Sequence, residues 1–367
     1  MQSSKRLYFI DALRAFAILM MLQGHFVSGL LDPVFKDNSN ALYRFWLYCR
    51  GFTAPVFFTI TGWVFTFLVL RSPVQGWKNP RLKKGVKRTF ELLFWGYLLR
   101  LNLPMLLNGK LNNSFIQPDV LQIIGISLLF VMGIYLLFGQ SKNVLTIVFL
   151  FFGTAIFMYE PAYVDLTFPS LPDAISGYLT KANKGVFYLF PWLGYVSIGA
   201  AIANVFQVKS TNLRPWAVAF ISLGIALIFY SSSFLIILSD TTEIELFRKV
   251  AYNNFLFIRL GDVFVLFGFF MLLNRLWMNG IWTLIGTKTL SIYIVHYFIL
   301  YGSLTGIGLY KYYNHSWSLM QSIGGAIGFI LLTTLIVLTY NKYKNNLYTF
   351  LSEKVINLYI IITKFNQ

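Results

Sequence analysis

The sequence predicts an all-α membrane protein, a polytopic bundle of about ten spanning helices with both chain ends on the cytoplasmic side. Three observations predict it. The chain is 57% hydrophobic and 12% charged, with mean hydropathy +0.65, where a soluble domain carries about a quarter charged residues. Apolar runs of the roughly 20 residues needed to cross hydrocarbon recur along its length. Cationic side chains collect in alternate connections, as they do in cytoplasmic loops.

The first run, 9–31, holds Asp11, Arg14 and His25. The second, 51–70, opens on Gly51, Thr53 and Pro55 and carries Thr61–Gly62. Such an irregular start is tolerated in a membrane only against protein or a water-filled cavity, which places a cavity beside the first helix. The third, 89–107, contains Glu91, Arg100, Asn102 and Pro104. The fourth, 119–138, offers Gln122 as a cavity hydrogen-bonder, and the fifth, 144–159, is short. The sixth and seventh, 186–206 and 215–238, are plain apolar spans. The eighth, 255–273, has Arg259 and Asp262 at i,i+3 spacing, which predicts an ion pair. The ninth, 281–301, carries His296 at mid-depth, and the tenth is 319–340. With one short run and one charged run, a count of nine to eleven is in range. No repeat or soluble module interrupts the series. The chain therefore reads as one transmembrane domain over 1–367, ending in a short basic cytoplasmic tail at 341–367.

Orientation follows from the connections. RSPVQGWKNPRLKKGVKR (71–88) contains seven Lys/Arg and no acid. Lys5 and Arg6 precede the first helix, and Lys342, Lys344, Lys354 and Lys364 follow the last. Asp32, Asp37, Glu160, Asp165, Asp173, Asp240, Glu243 and Glu245 fall in connections of the opposite side. An even helix count thus puts both ends inside. The absence of a cleavable leader, with this charge bias, suits a multi-pass protein of a bacterial inner membrane.

The same distribution explains the net charge of +17 without a nucleic-acid partner. One cysteine, Cys49, excludes an internal disulfide, and three histidines leave no zinc-ligand spacing. Neither G-x4-G-K-[ST] nor G-x-G-x-x-G after a strand occurs, so ATP and NAD have no candidate cradle.

At 100° per residue, with Asp11 at zero, Arg14 falls at about 300° and His25 at about 320°, roughly 16 Å apart along the axis. Polar residues inside a membrane face a bundle interior or a wet cavity. One face of the first helix therefore lines a polar path, with the acid and guanidinium toward the cytoplasm and the imidazole toward the far side. Histidine suits proton transfer at neutral pH, and arginine suits bidentate phosphate or carboxylate binding. The competing structural reading makes Asp11–Arg14 an interfacial i,i+3 pair and His25 a packing hydrogen-bonder.

RLYFIDALRAFAILMMLQGHF (6–26) resembles the opening of the polytopic membrane acyltransferases, where an Arg is followed eleven positions later by a His. RGFTAPVFFTITGW (50–63), DVLQIIGISLLF (119–130), LFPWLGYVSIGAAIA (189–203) and TLSIYIVHYFILYGS (289–303) resemble later motifs of the heparan-α-glucosaminide N-acetyltransferase-like branch, in order. The resemblance implies transfer of an acetyl or other short acyl group from cytoplasmic acyl-CoA to a hydroxyl or amine of a carbohydrate or glycolipid at the outer face. No metal enters the chemistry. His25 would be the catalytic base or a transient acyl carrier, two routes the sequence leaves open. Arg14, with Arg81, Lys84 and Arg88 of the basic loop, would meet the donor phosphates, and Asp11 would hold the Arg14 guanidinium. Asp11, Tyr293 and His296 are the candidate orienting residues. Some relatives place the critical His in the loop after the first helix; here 30–50 contains none. His315 reads as ordinary outer surface, and the long outer loop 160–185 as a plain connection.

Two alternatives stand beside this reading. A transporter or flippase for an anionic or sugar-linked solute would use Arg14 and His25 to line its path, although no paired, Gly/Pro-interrupted helices mark an inverted repeat. An acyltransferase of another class would centre on His296. Oligomeric state and acceptor identity are not encoded in any motif.

Overall fold

The computed structural model describes residues 6–181, 187–206, 212–278 and 280–365. Lys5 and positions 182–186 of the expected outer loop and sixth helix lie outside the described residues. Each expected apolar run is helical over most of its described length. The elements are α1 (Tyr8–Leu30), α2 (Ala41–Gly51), α3 (Thr53–Leu70), α4 (Pro80–Leu98), α5 (Val120–Phe138), α6 (Lys142–Met158), α7 (Leu189–Val205), α8 (Arg214–Thr242), α9 (Phe255–Leu272), α10 (Ile281–Thr287), α11 (Thr289–Tyr301) and α12 (Leu319–Phe365). Among the described residues, six spans are long and apolar enough to cross a membrane, or seven if α10 and α11 count as one. Helices α6 and α7 are apolar but shorter, and α4 carries a basic first half.

Local chemistry explains most boundaries. Asn79 caps α4, its side chain accepting from the Arg81 N–H, with Pro80 at the first helical position. The helix therefore begins nine residues earlier than the apolar pattern alone indicates, and Arg81–Arg88 form its first turns rather than a loop. It ends at Leu98, because Asn102 caps a separate short helix, Leu103–Leu107. Asp119 and Gln122 form a capping box on α5, so the Gln122 carbonyl oxygen serves the Asp119 N–H and not an open cavity. Asn40 caps α2, an amphipathic helix in a stretch expected to be loop. Helix α12 runs on to Phe365, beyond the end expected at residue 340.

Helix α1 is central, packing on α3, α9, α10, α11 and α12. Helices α3 and α7 touch backbone to backbone. A Cβ on Gly62 would lie 1.9 Å from the Val196 carbonyl oxygen, and one on Gly199 would lie 2.0 Å from that of Thr59. Small residues at crossings are how membrane helices gain close packing when no hydrophobic drive separates protein from lipid. The end of the bundle near the start of α1 is filled by the fully buried Trp63, ringed by Phe9, Phe206, Phe220 and Phe267 at centroid distances of 5.9, 5.0, 5.8 and 4.7 Å.

The expected ninth helix is broken. Between α10 and α11 the chain bends by 73° at Lys288. A continuous apolar pattern hides the break, which the structure places directly against α1. Arg259 and Asp262 form the expected pair at 3.0 Å, and Tyr48 joins it by donating its hydroxyl to Asp262 at 2.5 Å.

Candidate active site: a histidine pair above two adjoining cavities

His25 and His296 meet. Their Nδ1 and Nε2 atoms are 3.3 Å apart, with ring centroids at 5.3 Å. His296 is fully buried in α11, and its Nδ1 contacts the carbonyl oxygen of Tyr293 one turn earlier. A carbonyl can only accept, so His296 carries its proton on Nδ1 and presents a bare Nε2. His25 Nδ1–H then donates to that nitrogen, leaving a lone pair on His25 Nε2. This chain of donors sets the tautomer a base or nucleophile needs. The His25 ring is only partly buried and faces Tyr301 at 6.1 Å, inside the bundle and not toward lipid.

Behind the pair lies a network the sequence reading did not assemble. Asp119 accepts from Tyr297 Oη at 2.5 Å and from Tyr293 Oη at 3.3 Å, and pairs with Arg100 at 3.2 Å. Arg100 also donates to the Ser114 and Gln117 carbonyls, at 3.0 and 3.2 Å. A buried carboxylate is stable only when paired and hydrogen-bonded, and here it receives both. The signal for Asp119 was present as D-x-x-Q opening an apolar run, a capping box. Its second task is set by residues more than 170 positions away.

Below the pair, α1 presents Arg14, Ile18, Met21 and His25 on one stripe. Arg14, Ile18, Met21, Arg88, Leu121 and Tyr293 are among the walls of a largely apolar cavity of about 240 Å³. It adjoins a second space of about 720 Å³ lined by Arg6, Asp11, Arg14, Arg71, Arg81 and Lys84. Arg14 belongs to both, and its Nη2 donates to Thr289 Oγ1 at 3.1 Å, at the first residue after the α10–α11 break. The expected residues thus separate into two groups. Tyr293 and His296 join His25, whereas Arg14, Arg81 and Lys84 gather at the far mouth. Arg88 lines the apolar cavity and pairs with Glu91 at 2.9 Å.

Asp11 departs from expectation. Among the described residues it makes no ion pair with Arg14, although its charge reaches that guanidinium; its Oδ2 receives Arg6 Nε at 2.7 Å. Arg14 points along the stripe to Thr289, while Arg6, just before the helix, folds back onto the acid. Asp11 also lies 14 residues before His25, about 21 Å along the helix, at the opposite end from the other two orienting candidates. His315 departs too. It is not free surface: its Nδ1 accepts from Lys36 Nζ at 2.7 Å and its N–H donates to Gly29 O at 3.0 Å.

No curated protein matches the chain. A family model described as heparan-alpha-glucosaminide N-acetyltransferase, catalytic, matches residues 6–239. The matched stretch contains Arg14, His25, Arg100 and Asp119, while Tyr293 and His296 come from beyond it. With well over half of its length covered, the chain belongs to the heparan-alpha-glucosaminide N-acetyltransferase-like family of membrane acyltransferases.

Proposed function

We propose that this protein transfers an acetyl group from cytoplasmic acetyl-CoA to a carbohydrate hydroxyl or amine at the outer membrane face, with His25 as the catalytic base. One observation carries the reading: a single face of α1 leads from a basic mouth at Arg14, past apolar Ile18 and Met21, to the His25–His296 pair. Arg71, Arg81, Lys84 and Arg14 suit the diphosphate and 3′-phosphate of coenzyme A. The apolar cavity suits the pantetheine arm, whose extended length matches the separation of Arg14 and His25. The basic mouth, on the side of the chain's N-terminus, faces the cytoplasm in this reading.

In the transfer, the acceptor oxygen or nitrogen attacks the thioester carbonyl as His25 Nε2 removes its proton. The tetrahedral intermediate then expels the thiolate, which takes that proton from the imidazolium. An acetyl–oxygen or acetyl–nitrogen bond forms, a carbon–sulfur bond breaks, and His25 returns to its starting state. Thioester activation supplies the driving force, so positioning and one well-placed base suffice. The route through an acetyl-histidine uses the same lone pair; acetylated protein accumulating without acceptor, read by intact-mass spectrometry, distinguishes it.

The decisive experiment is thiol release from acetyl-CoA by purified protein in nanodiscs, with and without glycan acceptor. Acceptor-dependent release, lost in His25→Ala, supports the enzyme. Solute counterflow without thiol release supports the carrier, for which the broken α10–α11 span is the one favourable feature.

A further inference from the structure

On the outer side of His25 the bundle presents two cations, Arg50 and Lys36, neither of which has an ion pair among the described residues. Arg50 at the end of α2 is exposed, and its side chain crosses α1 at Gly24, the residue next to His25. A Cβ on Gly24 would lie 3.3 Å from Arg50 Cγ and 3.6 Å from Nε. The guanidinium has the Trp46 ring at 5.8 Å, and no ion pair to it occurs among the described residues. Lys36 reaches down to the Ser28 carbonyl at 3.1 Å, one turn above Gly24, and to His315 at 2.7 Å. An ammonium has three donors, so one N–H remains. Arg50 is within electrostatic reach of Lys36, His25 and Tyr301. Burial, then the Arg50 charge, holds the Lys36 amine below the ordinary lysine range.

Of the nearby acids, Asp32 is within electrostatic reach of Lys36 without an ion pair to it, and both Asp32 and Asp37 are hydrogen-bonded within their own turns. Asp32 accepts from the Val34 N–H at 2.9 Å, and Asp37 accepts from Ser39 N and Oγ at 2.7 and 2.5 Å. The cations are also held in place. Two residues before Arg50, the Tyr48 carbonyl accepts from Arg259 at 3.0 Å, its hydroxyl binds Asp262, and its ring lies 4.2 Å from the Arg259 guanidinium. Helix α2 is thereby pinned to α9. A wall of Tyr301 and Tyr310 runs from His25 outward to His315, with centroid steps of 6.1, 5.9 and 6.2 Å.

From these placements we infer that the acceptor carries an anionic group, a carboxylate or a phosphate, held by Arg50 and Lys36 while its nucleophile meets His25. This rests on the acyltransferase reading and adds the substrate class to it. The donor phosphates do not compete for the site, because their cations lie at the other end of α1. A sugar ring against Tyr301 and Tyr310 spans the gap between His25 and the cations.

The test uses the full-length protein in nanodiscs with acetyl-CoA and three acceptors on one scaffold: methyl glucoside, its 6-phosphate, and methyl glucuronide. Thiol release and calorimetric binding are read in parallel. The wild type is expected to prefer an anionic acceptor. Its ratio of anionic to neutral kcat/KM should fall about tenfold in Arg50→Gln, the worth of one charge-assisted hydrogen bond, and recover in Arg50→Lys. Preference for the phosphate alone assigns a phosphorylated acceptor, and preference for the glucuronide alone a uronic acid. Equal kcat/KM for all three, or a ratio unmoved by Arg50→Gln, overturns the anion site and leaves the transferase standing. Arg50-dependent binding without thiol release keeps the anion site and removes the transferase.

Discussion

His296 stands between His25 and the Tyr293 carbonyl, with Nε2 3.3 Å from His25 Nδ1, so the protonation of one ring dictates that of the other. His25→Ala should therefore lower acceptor-dependent thiol release by about 10²–10⁴-fold, the usual contribution of a general base. His296→Ala removes only the orienting acceptor and should lower kcat less than His25→Ala does, with KM for acetyl-CoA little changed. If His296→Ala is inactive while His25→Ala retains most of its rate, the roles are reversed.

The Arg100–Asp119 pair makes a stability prediction. Asp119→Asn leaves a buried guanidinium uncompensated and should destabilise the fold by about 3–5 kcal/mol, read as a lowered melting temperature in detergent. Joint replacement, Arg100→Met with Asp119→Leu, should recover part of that loss while leaving Tyr293 and Tyr297 without their acceptor. A double variant no more stable than Asp119→Asn would show that the pair does not act as a unit.

At the basic mouth, Arg81→Gln and Lys84→Gln should each raise KM for acetyl-CoA with little effect on kcat. Combining them should flatten the salt dependence of KM, since exposed charge attraction is screened within about 10 Å at 0.1 M salt. Coenzyme A lacking its 3′-phosphate should show a smaller response to the same variants.

The crossing of α3 and α7 tolerates no side chain at its contact. Gly199→Val should abolish accumulation of folded protein, measured by monodisperse elution, because its Cβ would fall 2.0 Å from the Thr59 oxygen. Gly133→Ala, at a helical glycine with nothing within 4 Å, should be neutral or slightly stabilising.

Spacing along a helix is a local property, and it made part of the site legible. Arg14 and His25 could be placed on one face of α1, and Arg259 and Asp262 paired, without any tertiary knowledge. Tyr293 and His296 sit one turn apart, yet nothing local says that they turn toward His25 rather than lipid. Asp119 was hidden by doing two things at once, since its capping role fully explains its place in the sequence. Asp11 misled because an i,i+3 partner was at hand, while the preferred partner, Arg6, lay just outside the helix. The Lys288 bend was invisible because residues on both sides are equally apolar. Helix α2 was missed because Arg44 and Arg50 interrupt a short, mostly apolar run, although Asn40 caps it.

Arg14 borders both cavities, and that position bears on bioenergetics. A catalyst fed from two faces of an energised membrane must not let hydronium or sodium leak between them. A fixed positive charge repels such ions, as arginines do in water-selective pores, and the Ile18 and Met21 side chains beside Arg14 offer water no hydrogen bond. If Arg14 receives the donor as proposed, the same residue would also insulate the membrane against such a leak.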